Sequence, residues 1–104
     1  MTDEVELSAG GIPVSLKPFF QEYDFGRLDA ERHRDLVIER TLAYGDRREV
    51  RWLYQRYGRH GIAAWVRERG SRSLSRRRFG YWRTVLDIDE YTRPPNWKHR
   101  IWPH

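Results

Sequence analysis

The chain has 104 residues, of which 34% are charged, 38% hydrophobic and 14% aromatic, with a formal net charge of +5 and no cysteine. That length allows one domain at most, built on a small core, and the missing cysteines exclude a disulfide framework and a thiolate metal site. No run approaches the ~20 apolar residues of a membrane span, and the N-terminal MTDEVEL is acidic with no apolar stretch behind it, so a soluble, cytoplasmic protein is expected.

A mean hydropathy of −0.91 leans towards disorder. Five Trp and six Tyr lean the other way, because disordered chains are poor in aromatics. The balance predicts a folded centre with loose ends.

Residues 1–17 carry Gly10-Gly11 and Pro13 without a sustained period and read as a flexible arm. Pro18 suits the start of a short helical turn, after which Phe19, Phe20, Tyr23 and Phe25 should cap the core. Asp29 is a good N-cap for a first helix that Gly45 should stop. Within it Leu36, Val37, Ile38, Thr41, Leu42 and Tyr44 supply an apolar stripe.

Asp46 opens a second helix on Val50, Leu53, Tyr54 and Tyr57, which recur at i, i+3, i+4 and i+7, with Gly58 as its end. A third is expected at 59–69, with Ile62, Trp65 and Val66 inward, Gly61 as a weak point and Gly70 as its stop. Ser75 caps a fourth at 76–86, where Phe79, Trp82, Val85 and Leu86 keep the period and Gly80 is a soft spot. After Ile88 the pattern dissolves. Pro94-Pro95 forbids a regular helix, yet Tyr91, Trp97, Ile101 and Trp102 give the tail apolar weight.

The predicted class is all-α: a small bundle of four main helices in a domain over 18–88, an irregular N-terminal arm over 1–17, and an extended Pro/Trp-containing tail over 89–104. The tail either folds back on the bundle or waits for a partner's groove, which makes Tyr91, Trp97, Ile101 and Trp102 the candidate partner-binding residues.

Charge is divided along the chain. Residues 1–46 hold 5 Lys/Arg against 10 Asp/Glu, a net of −5; residues 47–104 hold 15 against 5, a net of +10. Such asymmetry suggests a polyanion for the second half. Arg67, Arg69, Arg72, Arg76, Arg77, Arg78 and Arg83 fall within one short stretch, and three of them open the last helix. Cations there oppose the helix dipole by roughly 0.3–1 kcal/mol each, while free N–H groups and guanidinium forks together suit phosphate. These seven are the candidate nucleic-acid or anion-binding residues.

No constellation for catalysis stands out. His33, His60, His99 and His104 are scattered, with no carboxylate at metal-ligand spacing, and no Gly-rich loop follows a strand. Asp24, Asp29, Asp87, Asp89 and Glu90 sit near helix ends, where capping accounts for them. Arg27…His33 and Arg93…His99 match the Arg-to-His spacing of all-helical HEPN ribonucleases, but the first crosses a cap and the second spans Pro94-Pro95. The expectation is a binding protein, not an enzyme, with no cofactor and no metal. Tyr57-Gly58 is compatible with a helix-turn-helix whose second helix would offer Arg59, His60, Arg67 and Arg69.

Leu16-Lys17-Pro18-Phe19-Phe20, Tyr23-Asp24-Phe25, Leu28-Asp29, His33-Arg34-Asp35, Val37-Ile38-Glu39-Arg40, Tyr44-Gly45-Asp46, Trp52-Leu53, Arg56-Tyr57-Gly58, Leu74-Ser75 and Trp82 resemble a family of short prokaryotic proteins of unknown function. Its members look like the small partners found beside AbiEii-type nucleotidyltransferase toxins and are regarded as antitoxins. The similarity covers residues 16–88. It implies an antitoxin that neutralises a cognate nucleotidyltransferase-like toxin and also binds operator DNA. The alternative is a stand-alone nucleic-acid-binding module (DNA or RNA) using the arginine surface, and a homodimer is compatible with both. The Arg76-Arg77-Arg78 run is richer than the family pattern leads one to expect, as is the tryptophan-bearing tail. Gly80-Tyr81 stands where members usually carry another aromatic.

Overall fold

A computed structural model describes residues 5–93 of the chain. Four α-helices appear in it: α1 (Arg34–Tyr44), α2 (Arg47–Trp65), the single turn α3 (Ser71–Ser73) and α4 (Arg76–Val85). Two 3-10 segments, Val14–Phe20 and Phe25–Arg27, precede them, and a π-helical turn, Val66–Gly70, joins α2 to α3. The all-α class is as expected; one isolated antiparallel bridge pairs Leu7 with Pro13.

The segment expected to be a flexible arm is hydrogen-bonded to itself from Glu6 onward and buried in part from Ile12 onward. Ser8 accepts from the Gly11 N–H and donates its own N–H to the Ile12 carbonyl, closing a tight turn at Gly10-Gly11. Gly11 takes φ +84, a conformation that favours glycine. Gly10 lies so close to the Leu28 carbonyl that an added Cβ would come within 1.8 Å of that oxygen. The turn turns Ile12, Pro13 and Leu16 inward, where they are fully buried. Their spacing matches neither helix nor strand, which is why the pattern did not expose them.

Asp29 caps, but it caps a turn. Its carboxylate accepts from the Glu31 and Arg32 N–H groups at 2.7 and 3.0 Å, and His33 Nδ1 accepts from the Asp29 N–H at 2.9 Å. The Arg32 and then the Glu31 amide hold the Asp29 carboxyl below its ordinary pKa. The helix proper begins at Arg34 and buries Val37, Ile38, Thr41 and Leu42. Gly45 closes it with extended backbone (φ −69, ψ 151). It must be glycine because a Cβ would meet the Thr41 carbonyl at 2.6 Å.

α2 opens on a capping box. The Asp46 carboxylate accepts from the Glu49 N–H at 2.9 Å, and the Glu49 carboxylate accepts from the Asp46 N–H at 2.7 Å. The Ser15 hydroxyl donates to the other Glu49 oxygen, tying the first 3-10 segment to this helix end. At Gly58 the backbone leaves helical geometry (φ 80, ψ 152), then resumes it at once. The two expected helices thus lie within α2, divided at the Gly58 kink, and the second ends at Trp65, where the π-helical turn begins; no multi-residue turn separates them as in a helix-turn-helix.

Gly70 was expected as a stop. Instead it is buried in the π-turn, where a Cβ would meet the Phe79 ring at 2.9 Å. The glycine allows the turn to lie directly on α4. From the other side, the buried Trp82 indole donates to the Leu42 carbonyl at 2.9 Å and ties α4 to α1. Tyr57 donates to the Ala30 carbonyl at 2.6 Å and closes the turn before α1 onto α2. Around these links the apolar core runs through Phe20, Ile38, Leu42, Leu53, Ile62 and Val66, each 1% exposed or less. Full burial of such a side chain contributes about 1.5–3 kcal/mol.

Candidate functional site

The base of the candidate site is the start of α4. Leu74 and Ser75 are extended, and the Ser75 hydroxyl accepts from the Arg78 N–H at 3.1 Å. This cap satisfies one of the free amides that every helix start leaves open. Phe79, Trp82 and Leu86 turn into the core, so Arg76, Arg77 and Arg78 occupy the exposed first turn, which holds no acidic residue. None of the three has a side-chain hydrogen bond or ion pair among the described residues.

Gly70 presses the turn that follows α2 onto Phe79, so Arg67, Arg69 and Arg72 flank the same end of α4. Arg67 and Arg72 are exposed, with side chains unpaired among the described residues. Arg69 reaches Asp35 in the first turn of α1 at 3.6 Å. Both partners are half exposed, so that pair adds little and is readily exchanged for another anion.

Arg83 departs from the expectation of a free anion ligand. Its Nε donates to the Ile88 carbonyl at 3.2 Å and an Nη to Asp89 at 3.3 Å. Its guanidinium lies over Tyr91 at 4.7 Å and Phe79 at 5.9 Å. The cause is the chain reversal after α4. Asp87 takes the left-handed conformation at φ 55. The Ile88 amide then bonds the Arg83 carbonyl and the Asp87 amide the Thr84 carbonyl, which is a Schellman closure with aspartate in the glycine place.

Tyr91 departs as well. Its ring meets Phe79 edge-on at 4.8 Å. Next to it, the Thr92 N–H donates to the Arg67 carbonyl at 2.7 Å and the Ser71 hydroxyl to the Thr92 carbonyl at 2.6 Å. The start of the tail thus folds back on its own bundle. The other three tail residues proposed for partners, Trp97, Ile101 and Trp102, lie outside the described residues.

The geometry adds a group outside the arginine run. Tyr81 is 54% exposed, one turn beyond Arg77 and Arg78, with its ring edge-on to Trp82 at 5.0 Å. It is also within electrostatic reach of the Tyr54 phenol on α2, whose pKa is raised chiefly by burial and lowered in part by Arg59. Helical period alone could have found Tyr81, since it falls opposite the buried positions of α4.

Chemically, the assembled face is a set of exposed arginine cations, with the Tyr81 phenol beside them. No group of three or more His, Cys, Asp or Glu among the described residues could hold a metal ion. No helix among them is long and apolar enough to cross a membrane.

Among known proteins, no curated protein and no solved structure matches the chain. A family model matches residues 15–66, from the first 3-10 segment to the end of α2. The arginine-bearing turn and α4 lie beyond that segment, so the match bears on the scaffold and not on the basic face. On it, the chain belongs to the family of unknown function DUF6922.

Proposed function

We propose that this protein is the neutralising, non-catalytic partner of a nucleotidyltransferase-type toxin, and that it presents Arg67, Arg72, Arg76, Arg77 and Arg78 to the toxin's nucleotide-binding face. One observation carries this reading: three exposed arginines stand on the first turn of α4 with no acidic residue beside them and no partner among the described residues. They oppose the helix dipole and make no side-chain hydrogen bond or ion pair among the described residues, which supports a use outside the fold. An enzyme that handles nucleoside triphosphates and divalent cations needs carboxylates, and guanidinium forks engage carboxylates bidentately. The resemblance of residues 16–88 to small partners of such toxins supports this choice of target.

The test is co-expression with a nucleotidyltransferase-type toxin of the AbiEii class. The expected result is a stable complex with toxicity suppressed. Arg76→Glu, Arg77→Glu and Arg78→Glu together should dissolve the complex while the protein melts no lower than the wild type. A wild-type protein that neither binds nor protects overturns the reading.

A second reading, direct binding of nucleic acid including operator DNA, is favoured by the +10 charge of residues 47–104. An electrophoretic shift at about 0.15 M salt, lost in the same triple variant, supports it. No shift with the wild type removes it.

A further inference from the structure

We infer that the outward side of α4 is a self-complementary seam on which a second copy of this chain packs antiparallel, with its two-fold axis beside Gly80. Arg77, Gly80, Tyr81, Thr84 and Val85 recur at i, i+3, i+4, i+7 and i+8, which places them on one side of the helix. That side is opposite Phe79, Trp82 and Leu86, and all five residues are exposed. Tyr81 and Val85, at 54% and 38% exposure, are two of the large hydrophobic residues the fold leaves uncovered.

Gly80 is the least explained residue on this side. It sits at the midpoint of a ten-residue helix, where glycine is the poorest choice after proline. A Cβ built on it meets nothing among the described residues within 4 Å, and its φ is not positive. Neither packing among the described residues nor backbone geometry requires it. A bare backbone on an exposed helix is what lets a second helix approach closely.

The charges choose the occupant. Arg76, Arg77 and Arg78 stand at one end of α4, and Asp87, Asp89 and Glu90 follow the other. Neither Asp87 nor Asp89 has an ion pair among the described residues. A shallow groove lined by Gly80, Arg83, Thr84, Asp87, Ile88 and Asp89 leads from the glycine to that acidic end. A two-fold axis through the middle of the helix lays each basic end against the acidic end of the other copy, as an isologous interface requires. Any other acidic helix would satisfy one end and repel the other. A ten-residue helix is roughly 15 Å long, so the seam is small and the dimer weak and concentration-dependent. Arg67, Arg72, Arg76 and Arg78 lie beside the seam and not within it; Arg77 belongs both to the seam and to the partner reading above, and Gly80→Gln, which removes no arginine, tells the two apart.

The test is sedimentation equilibrium of the full chain at concentrations on the order of micromolar to submillimolar. The wild type should rise from 12.7 kDa towards twice that mass. Gly80→Gln should weaken association at least tenfold while melting no lower at high dilution, because glutamine favours the helix. Arg77→Asp and Asp89→Arg should each weaken association, and the double variant Arg77→Asp with Asp89→Arg should recover it. A wild type that stays at 12.7 kDa throughout, a Gly80→Gln protein that associates like the wild type, or a charge swap that fails to rescue would each overturn the inference. So would a monomeric wild type whose nucleic-acid binding is lost in Gly80→Gln, since the seam would then belong to the nucleic acid.

Discussion

The openings of α2 and α4 use the same device and serve different ends. Both are capped by a short polar side chain that accepts from the third amide of the helix, Asp46 from Glu49 and Ser75 from Arg78. At α2 the two arginines of the first turn, Arg47 and Arg48, are offset by Asp46 and by Glu49. Glu49 is only 4% exposed and held by Ser15. At α4 three arginines have no such offset, and the turn is open to solvent. One opening is built into the core and the other is built to be met.

That contrast can be broken by mutation. The largest effect is expected from Glu49→Ala, which removes half the capping box and leaves the Ser15 hydroxyl and the Asp46 amide without their acceptor. A loss of about 2 kcal/mol in urea unfolding is expected. Ser75→Ala should cost about 1 kcal/mol, because only one exposed amide loses its partner. If the two losses are equal, the difference between buried and open helix starts is void.

Tyr57 sharpens the comparison on the α2 side. Burial pushes its phenol from 10 up to about 12, so the folded state favours the neutral form. The stabilisation is complete below pH 10 and is lost as pH rises through 12. Tyr57→Phe should remove that part of the alkaline instability and cost about 1 kcal/mol at neutral pH through the lost bond to Ala30. Stability profiles against pH, wild type beside variant, measure both. On the α4 side, charge reversal at Arg76, Arg77 and Arg78 should stabilise by a few tenths to about 1 kcal/mol per position at low salt. A loss of stability instead would mean that the arginines serve the fold. The smallest change is expected from Asp87→Gly, a gain of no more than about 1 kcal/mol from relief of the left-handed conformation, read as a higher melting temperature.

What could be read from the chain divides along the same line. Asp46, Gly58 and Ser75 announced their roles because caps and breaks are local chemistry, and the α1 stripe was legible from its period. Ile12 and Leu16 were hidden because a 3-10 segment behind a glycine turn leaves no period to detect. Gly70 is illegible in the sequence because a packing glycine and a terminating glycine look alike until Phe79 is placed against it. Arg83 and Tyr91 looked available for the same reason: only the reversal at Asp87 brings carbonyls and rings together around that guanidinium. The exposed trio was legible because it breaks a helix rule that neighbouring residues keep, whereas Gly80 gained meaning only when the space around it proved empty.

The indole bond from Trp82 to Leu42 has a consequence for how the arginines meet a ligand. With α4 pinned to α1 on one side and to the Gly70 turn on the other, the backbone beneath them is preorganised and cannot swing as a lid. Docking then freezes only long side-chain torsions, at roughly 0.5–1.5 kcal/mol each, and leaves the main chain as it was. Recognition at this end of the molecule should accordingly be fast, rigid-body and tuned by dissociation, with the free and bound proteins superimposing through the helices.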